Sequence, residues 1–136
     1  MLKNNAKQIL LLSGLVLLLQ ACAPEEDIQD DPRIKFGGTW VVNETSSVFG
    51  PSAYQVTVSN HPDNEEQIQI ANFYNIGAGT RVNANVNNNS LSILNQSVSG
   101  QIISGSGSFQ NNTVTVNFTA NDGQVNDNVT AQFTRP

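Results

Sequence analysis

Cysteine, histidine and tryptophan each occur once in the 136 residues, and only 12% of the side chains carry charge. The lone cysteine, Cys22, excludes any intrachain disulfide. One histidine without a second thiol does not assemble a zinc ligand set. His61 sits in Ser59-Asn60-His61-Pro62-Asp63-Asn64, which reads as an exposed loop, and nothing beyond composition supplies it with a nucleophile to serve. The sequence therefore predicts no enzyme, no catalytic residue, no metal and no cofactor. Bases are few: six Lys and Arg stand against eleven Asp and Glu, for a formal net charge of −5. That balance repels a phosphate backbone and argues against nucleic acid. Long apolar runs are also missing. The longest, the eleven residues from Ile9 to Leu19, reaches about 16 Å as a helix, roughly half of a ~30 Å hydrocarbon core.

That short run has a use at the position it occupies. Lys3 and Lys7 precede it and small residues follow it, the layout of a secretory leader. An ordinary cleavage site requires a small residue three places before the cut, where this chain has Leu19. Leu19-Gln20-Ala21-Cys22 instead resembles the lipobox of bacterial lipoproteins. The resemblance implies removal of residues 1–21 and acylation of Cys22 by palmitate-like chains at its sulfur and its new amino group. It also implies a lipid anchor in the outer membrane. One acyl chain holds a protein only marginally, at about 0.8 kcal/mol per buried methylene, whereas several hold it stably. The membrane is then the first expected partner, reached without help from a folded domain.

Ala23 to Pro32 is acidic, poor in apolar residues and closed by prolines, so residues 22–35 are expected to form a disordered tether. Without the leader, four bases and eleven acids leave a net charge of −7, with nearly half of the acids in this tether. The acidic run behind the cysteine resembles the surface-export signal of lipoproteins in the Bacteroidota, with Glu25, Glu26 and Asp27 as its residues. A solvated spacer explains the same run equally well. The cell surface and the periplasmic face are both open on this reading.

From Phe36 to Pro136 about a hundred residues remain, enough for one modest core. No window repeats at helical spacing, but alternation of period two recurs. Tyr54, Val56 and Val58 oppose Gln55, Thr57 and Ser59. Ile68 and Ile70, Val82 to Val86, Val114 to Phe118 and Val129 to Phe133 repeat the pattern. With Thr39 to Asn43, Ser90 to Leu94 and Gln101 to Phe109 the total is about eight strands. Asn87-Asn88-Asn89, Gln110-Asn111-Asn112 and Asn121-Asp122-Gly123 supply residues that tolerate the positive φ of hairpin turns. Parallel pairing would need long crossovers that the chain lacks. The expected fold is all-β, an antiparallel meander closed into a small barrel, with a β-sandwich as the alternative.

Two features favour the barrel. Gly38-Thr39-Trp40 opens the first strand and Arg135 ends the last, a pair that resembles the lipocalin and wider calycin families. In those families a Gly-x-Trp packs beneath an arginine from the final strand. The resemblance implies that Trp40 and Arg135 close the barrel base by a cation-π contact. Ser104-Gly105-Ser106-Gly107-Ser108 offers little side-chain mass to either face and reads as a barrel corner, since no helix start follows to make it a phosphate cradle.

Two functions remain in play. A lipocalin-like lipoprotein holding a small hydrophobic ligand or lipid predicts an internal cavity above about 300 Å³. Tyr54, Phe73, Tyr74, Phe109, Phe118 and Phe133 are available to line it or to fill the core. A surface or periplasmic interaction module, an inhibitor or assembly accessory for an unidentified protein partner, predicts an exposed apolar patch or a long free edge strand. Glu44, Asp63, Glu65, Glu66, Asp122 and Asp127 all fall at strand ends or in loops and read as solvated. Neither acidic run follows an EF-hand spacing. Sequons such as Asn95-Gln96-Ser97 and Asn111-Asn112-Thr113 match turn and strand composition as well as glycosylation.

Overall fold

The computed structural model describes residues 30–136. Cys22, the leader and the acidic run through Asp27 lie outside the described residues. Eight strands follow in order: β1 (Gly38–Ser46), β2 (Gly50–Asn60), β3 (Gln67–Ala71), β4 (Arg81–Asn87), β5 (Ser90–Val98), β6 (Gln101–Gln110), β7 (Thr113–Asn121) and β8 (Asn126–Thr134). Each pairs antiparallel with its sequence neighbour, and β1 pairs with β8, so the sheet closes into a barrel and the sandwich alternative falls. Closure sets Val41 to Ser46 against Thr134 to Val129. The two strands that would have been edges thereby satisfy each other's backbone.

The alternation of side chains decides what is inside. Trp40 and Val42 on β1, Ile68 and Ile70 on β3, Val114 and Val116 on β7, and Ala131 and Phe133 on β8 are all buried, while their chain neighbours face water or the wall. Asparagine makes the hairpins possible: Asn88, Asn111 and Asn112 hold φ of 53°, 52° and 58°, the left-handed conformation that two-residue turns demand. On β6 the alternation places Gly105 and Gly107 inward, where the wall turns too sharply for a side chain. A Cβ on Gly105 would lie 2.4 Å from the carbonyl oxygen of Asn117 on β7.

β5 continues past Leu94, through a register shift between Ile93 and Gln96. Beyond it the amide of Gln96 accepts from the backbone N–H of Asn83 at 2.9 Å and donates to the Asn83 carbonyl at 2.8 Å. One side chain here replaces a rung that the β4–β5 ladder lacks.

The folded part starts earlier than the sequence suggests. Instead of a tether through residue 35, a 3-10 turn at Ile34–Phe36 seats buried Phe36 under the barrel. Arg33 donates to both carboxylate oxygens of Asp31 and to the carbonyls of Asn64 and Gln67, docking the segment on the β2–β3 loop. One end of the barrel, the base, thus holds the entering chain, the 61–66 loop, the hairpins at 88–89 and 111–112, and the C-terminus. The other end, the mouth, is bordered by residues 47–49, 72–80, 99–100 and 122–125.

Candidate functional site

At the base, the structure brings Trp40 and Arg135 together. The guanidinium carbon of Arg135 lies 3.5 Å from the centre of the Trp40 ring, and its two terminal nitrogens donate to the carbonyls of Gly37 at 2.8 Å and Lys35 at 3.0 Å. The indole N–H donates to the Phe36 carbonyl at 2.7 Å. Gly38 is needed here twice over: its φ is +100°, and a Cβ would stand 3.2 Å from an Arg135 nitrogen. The indole N–H and both terminal nitrogens of Arg135 are engaged within the chain, so this stack reads as a lock rather than a ligand site.

The mouth is built differently. The inward phase of β1 that buries Trp40 and Val42 continues to Glu44 and Ser46, that of β2 places Ser52 and Tyr54 inward, and that of β8 places Asp127 there. Glu44 and Asp127 are buried, which corrects their reading as solvated loop acids. Asp127 accepts from Ser46 Oγ and Tyr74 Oη, both at 2.5 Å, from Ser47 Oγ at 3.0 Å and from the backbone N–H of Val48 at 3.3 Å. Glu44 accepts from Tyr54 Oη at 2.6 Å and Ser52 Oγ at 3.2 Å. The two carboxyls end up with opposite tendencies. Burial pushes Glu44 above the usual range, the Tyr54 and Ser52 bonds offset part of that, and the charge of Asp127 adds to it. Burial also pushes Asp127 upward, but the bonds from Ser46, Tyr74, Ser47 and Val48 outweigh it and hold Asp127 below its usual value. Burial, and then the carboxylates they bond, raise both Tyr54 and Tyr74 well above the ordinary tyrosine range.

These tendencies give stability a pH signature. Asp127 contributes stability present above the usual aspartate value of 3.8 and lost as the pH falls through its lower folded value. Glu44 contributes stability present below the usual glutamate value of 4.5 and lost as the pH rises through its higher folded value. Glu44→Gln is expected to remove the fall in melting temperature between pH 4.5 and the higher folded value of Glu44. Asp127→Asn should lower the melting temperature at neutral pH and weaken its dependence in acid. Thermal melts across the acid-to-neutral range check both, and a Glu44→Gln profile parallel to the parent's would contradict the account.

Tyr74 comes from the β3–β4 connection, Asn72 to Thr80, which straps the mouth. The strap drops Phe73 into the core, with its ring 4.5 Å from that of Phe118, and lays Tyr74 edge-on to Phe118 at 5.7 Å. Asn72, Tyr74 and Asn75 take φ of 64°, 57° and 56°, and Gly77 takes 122°. Asparagine tolerates that conformation, but an aromatic residue there is strained. Asn72 donates from its side chain to the Gln55 carbonyl at 2.8 Å and ties the strap to β2.

The remaining candidates fall elsewhere. His61 lies in the β2–β3 loop at the base, its Nδ1 accepting from the backbone of Asp63. Asp63, Glu65 and Glu66 are exposed, and Asp122 is bonded to the backbone N–H groups of Gln124 and Val125 in its own turn. Among the described residues no three His, Cys, Asp or Glu side chains are placed to hold a metal. Phe133 and Phe118 are buried core, and Phe109 packs edge-on to Phe36 at the base. The interior is occupied by these side chains, so the internal cavity above about 300 Å³ that a ligand inside the barrel calls for is not found among the described residues, and only the mouth is left to that reading. Open concavities lie outside the interior: about 550 and 420 Å³ on the outer wall beside Asn43 and Gln132 and beside Ser104 and Asn117, meeting at Thr130, and about 620 and 510 Å³ at the base on either side of Pro32 and Asn88.

The fold and site define a small closed β-barrel with a packed base and a polar, strapped mouth. No protein-family model matches the chain, and no curated protein matches its sequence. Among solved structures it is similar to a redesigned β-barrel, b11L5F_LGL, at 13% identity and a TM-score of 0.54, covering 78% of this chain and 96% of that one. It is likewise similar to EF1p2_mFAP2b bound to DFHBI, at 14% identity and a TM-score of 0.56, covering 78% of this chain and 98% of that one. At such identities the likeness is one of fold.

Proposed function

We propose that this chain is a membrane-anchored lipoprotein of the bacterial outer membrane whose lipocalin-like barrel holds a small, largely apolar ligand at its mouth. The observation that carries the ligand half is the lining of that mouth. The rings of Tyr54 and Tyr74, the latter with Phe118 buried behind it, stand beside two buried acceptors, Glu44 and Asp127, the pairing of apolar wall and few polar groups that small-molecule sites use. That the barrel EF1p2_mFAP2b is bound to DFHBI supports a fold able to carry a ligand. The anchor half rests on Leu19-Gln20-Ala21-Cys22 and on the direction of the chain. Residues 30–37 enter at the base, so an anchor at Cys22 turns the base toward the lipid and the mouth away. The nine residues from Cys22 to Asp30, with eight steps between their ends, span at most about 28 Å, which keeps the barrel close to the headgroups.

A second reading, a protein-interaction module, has one observation in its favour. Val48, Phe49 and Val125 are exposed on adjoining loops of the mouth, Phe49 by 76%. Bonds from Ser47 and Val48 to Asp127, and between Ser47 and Asn128, fasten those loops together. Every strand has a neighbour on both sides in the closed sheet, but Gly50–Val56 of β2 pair only with β1, so a stretch open to a partner strand lies beside the same loops.

Two measurements test the proposal. The parent is expected in carbonate-washed envelopes and the Cys22→Ser variant in the soluble fraction, and a variant that stays with the envelopes overturns the anchor. Mass spectrometry of material extracted from the natively purified, full-length protein is expected to show a small molecule in near-stoichiometric amount. Empty extracts overturn the ligand half and favour the interaction module.

A further inference from the structure

Two core residues come from outside the barrel wall, Phe36 from the turn at the base and Phe73 from the strap at the mouth. Phe73 is 1% exposed, yet it hangs from a connection whose backbone takes left-handed φ at Asn72, Tyr74 and Asn75. Such strain persists only where surrounding contacts enforce it, and it concentrates at clamps and switches. Bonds among Asn72, Phe73, Asn75, Gly77 and Thr80 hold the strap's own turns, while what ties it to the barrel is the Phe73 and Tyr74 rings on Phe118, the Asn72 side chain on Gln55, the Thr80 hydroxyl beside Ser99 and the Tyr74 hydroxyl on Asp127. The bond to Asp127 reaches across the mouth from the β3–β4 connection to β8. It is therefore the latch of the strap.

What the strap places in the mouth has a definite chemistry. It presents one aromatic ring to Phe118 and one phenolic hydroxyl to a carboxylate that also collects Ser46, Ser47 and the Val48 amide. Mouth and strap otherwise supply acceptors and neutral donors. The four bases of the described residues are all engaged elsewhere: Arg33 with Asp31, Lys35 with Asn89, Arg81 with Gln69 and Arg135 over Trp40. A molecule that replaces the strap must bring what the strap brings.

Resting on the ligand-binding reading above, we propose that the space held by Phe73 and Tyr74 is the binding site for a small phenolic compound. Its ring lies on Phe118 and its hydroxyl donates to Asp127, while the strap, released from its latch, swings outward. The strap is an internal competitor for this site. The apparent affinity is the intrinsic affinity reduced by the fraction of molecules whose strap is open. Weakening the latch without touching the acceptor must therefore tighten binding.

Tyr74→Phe makes that change, removing one hydroxyl and leaving Asp127 in place. p-Cresol is the probe, and toluene, of similar shape but lacking the donor, is its control. By calorimetry with the full barrel, Tyr74→Phe is expected to bind p-cresol about tenfold more tightly than the parent, the worth of one hydrogen bond to a charged acceptor. Toluene should gain by the same opening factor but, lacking the donor, stay weaker than p-cresol in both proteins. Phe73→Ala opens the ring space directly and should bind both probes more tightly than the parent. Equal p-cresol affinity in parent and Tyr74→Phe, or toluene bound as tightly as p-cresol by Tyr74→Phe, overturns the proposal. Latch-dependent p-cresol binding together with empty native extracts leaves this site standing and removes the natural-ligand reading. A co-purifying ligand whose binding ignores Tyr74→Phe and Phe73→Ala does the reverse.

Discussion

Gly105→Val is expected to abolish the folded barrel, seen as loss of the β signal in circular dichroism or of soluble protein altogether. Gly105 faces inward from β6, in register with Ile93 on β5 and Phe118 on β7. A Cβ there would lie 2.4 Å from the Asn117 carbonyl oxygen, 2.5 Å from Phe118 Cβ and 2.7 Å from Phe118 Cα. None of these atoms can be rotated away, because all belong to the backbone of the adjoining strand or to the first atom of a side chain. Relief requires β6 and β7 to part at that pair. In a closed sheet the gap has no free edge to move toward. Ordinary overpacking costs about 1–3 kcal/mol, but this contact acts on the framework itself and competes with a total stability of only about 5–15 kcal/mol. Gly105→Ala should already melt far below the parent. Gly107→Ala, whose Cβ would meet the Thr115 carbonyl at 2.6 Å and a Val116 methyl at 3.0 Å, should be the milder of the two. A Gly105→Ala barrel that melts with the parent would refute the corner account.

That corner is legible in the sequence, because Ser104 to Ser108 alternates small residues where a strand is otherwise indicated, and only backbone crowding makes such a strand useful. The eight strands and their order are legible for a related reason. Period-two burial is a local property, and turns of two asparagines leave a strand nowhere to go but beside its predecessor. The path of β5 past Leu94 is not legible, since the shift before Gln96 breaks the alternation that would reveal it. Nor is the Asp31–Phe36 plug, whose acidic and proline-flanked composition matches a tether until Arg33 finds the carbonyls of Asn64 and Gln67.

The mouth holds the most instructive difference. Glu44 and Asp127 look like solvated acids because charges at strand ends normally are. Yet the phase that buries Trp40 and Val42 carries on to Glu44 and Ser46, and the phase of Phe133, Ala131 and Val129 carries back to Asp127. Extending each alternation by one step was the available signal. Tyr74 had none. Its partner is fifty-three residues away in the chain, and its left-handed backbone contradicts the local preference of an aromatic residue.

Trp40→Ala is expected to cost about 3–5 kcal/mol, the range for removing a large buried aromatic, and to lower the melting temperature by more than about 12 °C in a domain of roughly a hundred residues. Three separate losses combine. The fully buried indole leaves a void beside Phe133, whose ring centre is 6.5 Å away, the Phe36 carbonyl loses its donor, and Arg135 loses the surface it covers. Trp40→Phe separates these terms, because it keeps much of the ring but not the N–H. It should cost about 1–3 kcal/mol, the penalty of a buried acceptor left unpaired. Arg135→Lys tests the other side: a lysine places a charge near the ring but cannot donate to Gly37 and Lys35 together from a planar group. If the stack locks the base, combining Trp40→Phe with Arg135→Lys should cost less than the two single changes added, with a coupling of about 0.5–3 kcal/mol in chemical denaturation. Strict additivity would mean that Arg135 holds the entering chain through its two carbonyl bonds alone. The indole would then be core like any other.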